Sequence, residues 1–324
     1  MIHPIPPGTR DVLPDEMREL RAITERLRGV FEGAGYGEVW TPALEYEEVL
    51  RTGEGSAAGA GYRMFDEHGQ VLALRSDMTI PIARLVSTRY RDESDPLRLC
   101  YFAHAYRAVE HGSGHQREFQ QAGLELIGVR GAEAEAEVIA LVLAALDEAG
   151  LARHRVGLGD GALYRTLLAA LEVPAERHPE LLRCLMRRDL VTLEMLVVGL
   201  GLPRYARAAL LRLPELRGGP GVLDQLEGGG PADDALEGLR VLHAALADRG
   251  VAERVILDLG LVRELGYYTG TVYEVYDPAV GFTLGGGGRY DDLLGRFGSP
   301  RPACGMALDV QRVHIAQAAE ERLR

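Results

Sequence analysis

The stretch Arg117-Glu118-Phe119-Gln120-Gln121-Ala122-Gly123-Leu124-Glu125-Leu126-Ile127-Gly128 has strand character over Arg117 to Ile127 and carries two polar side chains around a glycine. On a strand, Arg117, Phe119, Gln121, Gly123 and Glu125 share one face. Gln121 and Glu125 then lie on one floor, with Gly123 leaving open space between them. A half-buried face is normally apolar, so the pattern points either to a pocket or to a solvated sheet face. The preceding segment, Leu97 to Arg107, reads as a second strand joined to it by a polar turn around Gly112 and Gly114.

Outward from this pair, Asp15 to Phe31 reads as the first helix. Pro14 and Asp15 give its start, Met17, Leu20, Leu27 and Phe31 mark one face, and Gly33, Gly35 and Gly37 stop it. Val39 and Trp40 open an extended segment that Pro42 assigns to a sheet edge or an interface. Asp66-Glu67-His68-Gly69 reads as a hairpin turn into a strand over Val71 to Arg75. Glu133 to Glu148 is an alanine-rich helix and Arg155 to Leu158 a short strand. Strand character returns in Val255 to Leu259, Tyr267 to Tyr276 and Gly281 to Leu284, and Asp309 to Leu323 closes as an amphipathic helix. The order does not alternate strand and helix regularly, which favours an α+β fold on a mostly antiparallel sheet. From about Leu171 to Asp248 the texture turns to Leu, Ala, Arg and Pro, with glycine clusters at Gly218-Gly219 and Gly228-Gly229-Gly230. The expected organisation is a core in two parts, residues 1–171 and 250–324, around a helical insertion subdomain over 172–249.

At 324 residues, with 47% hydrophobic and 26% charged side chains, the chain has enough apolar material for about two packed domains. That excludes a disordered, collagenous or disulfide-stapled chain. The formal charge of −12 argues against bulk nucleic-acid binding, although a local basic groove is compatible with it. All 36 basic residues are arginine, and asparagine is absent. Cys100, Cys184 and Cys304 form no C-x-x-C pair and read as buried reduced thiols. No Cys/His cluster suggests a metal. The N-terminus lacks a signal-peptide apolar region, and the longest apolar run, Val138 to Leu146, is too short to cross a bilayer, so a cytoplasmic protein is expected.

Four clusters could carry chemistry. Arg75-Ser76-Asp77-Met78-Thr79 ends a strand before a helix over Ile80 to Tyr90. Its carboxylate and hydroxyl suit an ammonium group, but the same residues suit a helix N-cap, which is the preferred reading from the residues alone. Arg107 with Gln121 and Glu125 forms the second. The third is Arg263 with Tyr267-Tyr268. On a strand, adjacent tyrosines face opposite sides, so at most one would enter a given pocket. The fourth is Gly285-Gly286-Gly287-Gly288-Arg289-Tyr290-Asp291. Without G-K-[ST] it is no phosphate loop, and a tight turn or a close backbone approach is the better reading.

Taken in order, these segments resemble the histidyl-tRNA synthetase family of class II synthetases. The motifs are Gly8-Thr9-Arg10-Asp11-Val12-Leu13-Pro14, Leu74 to Thr79, Arg117 to Gly128, Tyr267-Tyr268-Thr269-Gly270-Thr271-Val272-Tyr273-Glu274, Gly287 to Asp291 and Pro302-Ala303-Cys304-Gly305-Met306-Ala307. The resemblance implies an antiparallel sheet flanked by helices. It also implies a histidine pocket. Asp77 and Thr79, assisted by Gln121, would hold the α-amino group, and Arg107 and Arg263 would meet the carboxylate. Of the tyrosine pair Tyr267-Tyr268, Tyr268 would join Glu125 in hydrogen-bonding the two imidazole nitrogens.

The departures from the family redirect the expected function. The family continues into an anticodon-binding domain after the closing helix, which is not expected here. Its ATP-holding glutamate and second arginine align with Val109 and His115, a one-residue shift offering Glu110 for the former. The acid of its L-D-Y-Y segment is Gly266, while Arg312 matches the arginine of the third class II motif. Asp77 and Met78, in place of glutamate and glycine, are similar to a non-catalytic branch, the ATP phosphoribosyltransferase regulatory subunits. What this implies is a subunit with no cofactor that activates a short-form catalytic chain and carries feedback inhibition by L-histidine. The first helix and Trp40-Thr41-Pro42 resemble the class II dimerisation motif, implying a homodimer within a hetero-oligomer. tRNA binding is not expected. The rival reading is a truncated synthetase-like enzyme forming histidyl-adenylate.

Overall fold

The computed structural model describes residues 5–54, 61–108, 116–226, 232–263 and 266–323, and the counts given are of those residues. In chain order the strands are β1 (Gly37–Glu38), β2 (Leu44–Tyr46), β3 (Arg63–Phe65), β4 (Val71–Leu74), β5 (Leu97–Tyr106), β6 (Glu118–Ile127), β7 (Arg155–Asp160), β8 (Arg217–Gly218), β9 (Val255–Asp258), β10 (Thr271–Tyr276), β11 (Thr283–Arg289) and β12 (Ala303–Asp309). The helices are α1 (Pro14–Gly33), α2 (Glu47–Glu54), α3 (Thr79–Arg89), α4 (Ala132–Glu148), α5 (Leu163–Ala170), α6 (His178–Met186), α7 (Leu190–Gly199), α8 (Arg204–Arg212), α9 (Asp233–Asp248) and α10 (Val310–Arg322).

One sheet of nine strands runs β1-β5-β6-β12-β11-β10-β7-β9-β8, and a small sheet runs β2-β4-β3. The six central strands of the large sheet are antiparallel, as expected, while β1–β5 and β7–β9 pair in parallel at its two flanks. On one face lie α1, α4, α9 and α10. The helix α1 presents Leu20, Ile23, Leu27 and Phe31 to the core at helical spacing. Asp309 caps α10 by accepting the Arg312 backbone N–H at 3.1 Å, and Glu133 and Glu135 lie in the first turn of α4 where the helix dipole favours them. No helix among the described residues is long and apolar enough to cross a membrane. Cys100, Cys184 and Cys304 are all free and buried.

The described residues from α5 to α9 are mainly helical but also supply β8 to the large sheet, and the glycine cluster at 228–230 lies outside the described residues. The buried leucines of this stretch, among them Leu181, Leu193, Leu210 and Leu239, belong to the same continuous core as the sheet residues Leu124, Leu158 and Met306. A second buried cluster on the opposite face gathers Met78, Ile80, Tyr101, Tyr267 and Tyr290. There the small sheet is tied to α3 by Arg84, whose guanidinium grips the buried Glu45 carboxylate at 2.6 and 2.9 Å. Arg75 is buried too. It donates to the backbone carbonyls of His104 and Thr41, both at 2.7 Å, and so fastens the Thr41-Pro42 segment to β5.

Two sequence expectations are corrected. Tyr267 and Tyr268 do not lie on a strand, because β10 begins only at Thr271 and the tyrosines form the turn before it. Gly285 to Gly288 form no turn either. They run through the middle of β11, between β10 and β12, and only the close-approach half of that reading holds.

Candidate ligand-binding site

The face of the sheet that carries the second cluster is paved with glycine. Across the ladders, Glu125 stands opposite Gly305 and Gly305 opposite Gly288, while Tyr101 stands opposite Gly123 in the neighbouring row. A methyl group at Gly305 would overlap the Glu125 carboxyl, at Gly123 the Tyr101 hydroxyl, and at Gly286 the Arg263 guanidinium. At Gly288 it would come within 2.6 Å of the Tyr268 ring. Each glycine therefore gives its space to one functional side chain, and the missing side chains open a cavity of about 510 Å³ above the sheet. That volume suits a small organic ligand.

All eight residues singled out from the sequence line this cavity. Asp77 bonds the backbone at the start of α3, as the helix-cap reading expects. Its Oδ1 accepts the Ile80 backbone N–H at 3.2 Å, while Oδ2 is buried with no hydrogen-bond partner. Burial raises the Asp77 carboxyl above its usual range, with Arg107 pulling the other way. Gln121 Oε1 is likewise buried and unpartnered, as is Arg263 Nε. Buried polar atoms are rarely left unmatched, so these three atoms can take polar partners. Gln121 and Glu125 are 6% and 1% exposed, which rules out the solvated-face alternative for β6.

Thr79 does not stand free. Its hydroxyl donates to Glu125 Oε1 at 2.9 Å. Tyr101 donates to the same oxygen at 3.5 Å, and Tyr290 donates to Oε2. Burial is the main cause that pushes the Glu125 carboxyl up to about 8, opposed by the Tyr290 and Thr79 hydrogen bonds. Tyr101 and Tyr290 are site residues that sequence reasoning missed. Tyr290 stood within a quoted motif without a role, and Tyr101 carried no signal beyond its place on a strand.

Arg107 sits exposed at the mouth, 4.9 Å from the centre of the Phe119 ring. Arg263 pairs with Glu274 at 3.3 Å. Because the tyrosine pair occupies a turn, both rings reach the cavity, packed at 4.8 Å between centroids. Arg312 lines the far end, where it donates to the Thr283 carbonyl at 2.8 Å and pairs with Asp309 at 3.4 Å. Val109, Glu110 and His115 lie outside the described residues.

Residues 8–313 match the family described as Histidyl-tRNA synthetase. The chain is 43% identical over 314 residues to an ATP phosphoribosyltransferase regulatory subunit of Desulforamulus reducens, spanning 96% of this chain and 78% of that protein. A crystal structure from Bacillus halodurans, described as an ATP phosphoribosyltransferase regulatory subunit/histidyl-tRNA synthetase, superposes with a TM-score of 0.89. It is 35% identical and covers 98% of this chain and 84% of that one. A second, described as a histidine–tRNA ligase subunit from Alicyclobacillus acidocaldarius, gives a TM-score of 0.87 at 31% identity over 99% of both chains.

Proposed function

The chain belongs to the ATP phosphoribosyltransferase regulatory subunit family, and we propose that it serves as such a subunit, non-catalytic itself, taking L-histidine in the glycine-floored cavity. The observation that carries the ligand is the pairing of unsatisfied Asp77 Oδ2 and Gln121 Oε1 with a Glu125 carboxyl held in place at the cavity's inner wall. An α-ammonium group satisfies the first pair, and a ring N–H finds its acceptor in the second. Arg263 and Arg107 supply cations for the ligand carboxylate. Histidine bound here would act on a short-form catalytic partner through a coupling free energy, favouring the state of the complex that holds it better.

A homodimer is the proposed building block. Leu44, Tyr46 and Met64 share one face of the small sheet and are 43%, 53% and 37% exposed, with Trp40 82% exposed just before β2, an apolar surface that a second copy would cover. The adenylating alternative draws on Arg107 and Arg312, which line the same cavity, Arg312 beside Thr283 and Asp309.

The test is phosphoribosyl transfer by the short catalytic chain with and without this protein, titrating L-histidine. Activation that histidine reverses is expected. A folded sample that neither activates nor confers histidine sensitivity would overturn the proposal, and histidine-dependent ATP–pyrophosphate exchange would establish the alternative.

A further inference from the structure

Glu125 is the meeting point of three hydroxyl groups drawn from three different segments. Thr79 opens α3, Tyr101 lies on β5, and Tyr290 follows β11. In its ionised form, which a bound ring N–H favours over the protonated form of the empty site, the carboxyl offers about four acceptor positions. Thr79 and Tyr101 fill those on Oε1, and Tyr290 takes one on Oε2, which leaves a single position open on Oε2.

Tyr290 is firmly anchored. Its own N–H donates to the Ala303 carbonyl at 2.8 Å. The residues on either side are locked. Arg289 donates to Glu135 at 2.7 Å and to the Gly131 carbonyl at 2.8 Å, and Asp291 accepts from the Ala303 N–H at 3.0 Å. Its ring meets the Tyr267 ring edge-on at 5.7 Å. A side chain held in this way cannot follow a displaced carboxyl, so it dictates where Glu125 Oε2 stands.

We infer that Tyr290 is a positioning residue, which fixes Glu125 so that its one open acceptor meets a ligand ring N–H and thereby sets the preference for an N–H-bearing ring over a ring of equal size without one. The inference rests on the histidine reading of the cavity and adds the residue that determines its specificity.

The experiment is calorimetric titration of the full chain with L-histidine and with 2-thiazolyl-L-alanine, whose ring has similar size and no N–H. The unaltered protein is expected to prefer histidine by about a hundredfold or more, because the analogue leaves a buried acceptor unmatched. Tyr290→Phe, with an unchanged circular dichroism spectrum, is expected to reduce that preference to about tenfold or less. Loss of affinity for both compounds in equal measure would mark a merely structural role and overturn the inference. So would an unchanged preference, with the histidine reading left standing. If Tyr290→Phe gives no cooperative melt, Thr79→Val, which removes a second hydroxyl from the same carboxyl, decides by the same criterion. Failure of the unaltered protein to bind histidine overturns the cavity assignment, and the inference with it.

Discussion

Gly305 faces Glu125 across the β6–β12 ladder, and the space a Gly305 side chain would fill is taken by the Glu125 carboxyl. The contact joins a backbone requirement to a recognition element. Substituting Gly305→Ala is therefore expected to swing Glu125 off its hydroxyl partners. Overpacking of this kind costs about 1–3 kcal/mol of stability. Histidine affinity should fall by about tenfold or more in calorimetry, while the far-UV circular dichroism spectrum stays unchanged.

Glu125→Ala removes the acceptor itself. Binding of L-histidine is expected to weaken by ~1–3 kcal/mol, since the ring N–H loses its partner and is left buried. Unchanged affinity in a folded variant would show that the ring sits elsewhere.

The titration of Glu125 has a definite sign. Its carboxyl rises from an ordinary 4.5 to about 8 in the folded state, with burial as the main cause. The fold thus favours the protonated form, and that contribution is lost as pH climbs from the unfolded value through about 8. Glu135, pushed up to about 7, and Asp277, up to about 6, act in the same direction, both mainly through burial. The melting temperature of the unliganded protein should decline between pH 6 and 9, and Glu125→Gln should flatten the upper part of that decline.

Arg289 and Glu135 form a buried ion pair at 2.7 Å, and Arg289 also bonds Asp291 at 3.1 Å. Deleting one partner of such a pair typically costs about 3–5 kcal/mol. Urea denaturation of Arg289→Ala should show a loss of that order, whereas exposed Arg18→Ala, whose partner Asp15 is also exposed, should lie within ~0.5 kcal/mol of the parent.

Trp40→Asp or Tyr46→Asp, placing charge beside or on the exposed face of the small sheet, is expected to shift the protein from dimer to monomer in sedimentation experiments. The melting of the monomer should stay cooperative, because neither side chain belongs to the core.

Much of this architecture was legible from local pattern. Strand periodicity of two is a property of the backbone, so Gln121, Gly123 and Glu125 had to share a face wherever the strand went. Helical spacing along α1 and the antiparallel pairing of β5 with β6 followed from equally local rules. Only the assembled sheet decided what those residues meet. Glu125 receives the hydroxyl of Thr79 from 46 residues away and that of Tyr290 from 165 residues away. Neither separation leaves a periodic trace in the chain. The glycine run at 285–288 carried a signal for close approach but not for which groups approach, because those are Arg263, Tyr268 and Tyr273 of β10, with the backbone of β12. The same holds for Tyr267 and Tyr268, whose shared cavity depends on a turn where strand alternation lapses. Local sequence determined which side chains each element could offer. The order in which the strands stack laterally determined which of them came together around one carboxyl, because contacts across a sheet follow strand order and not chain distance.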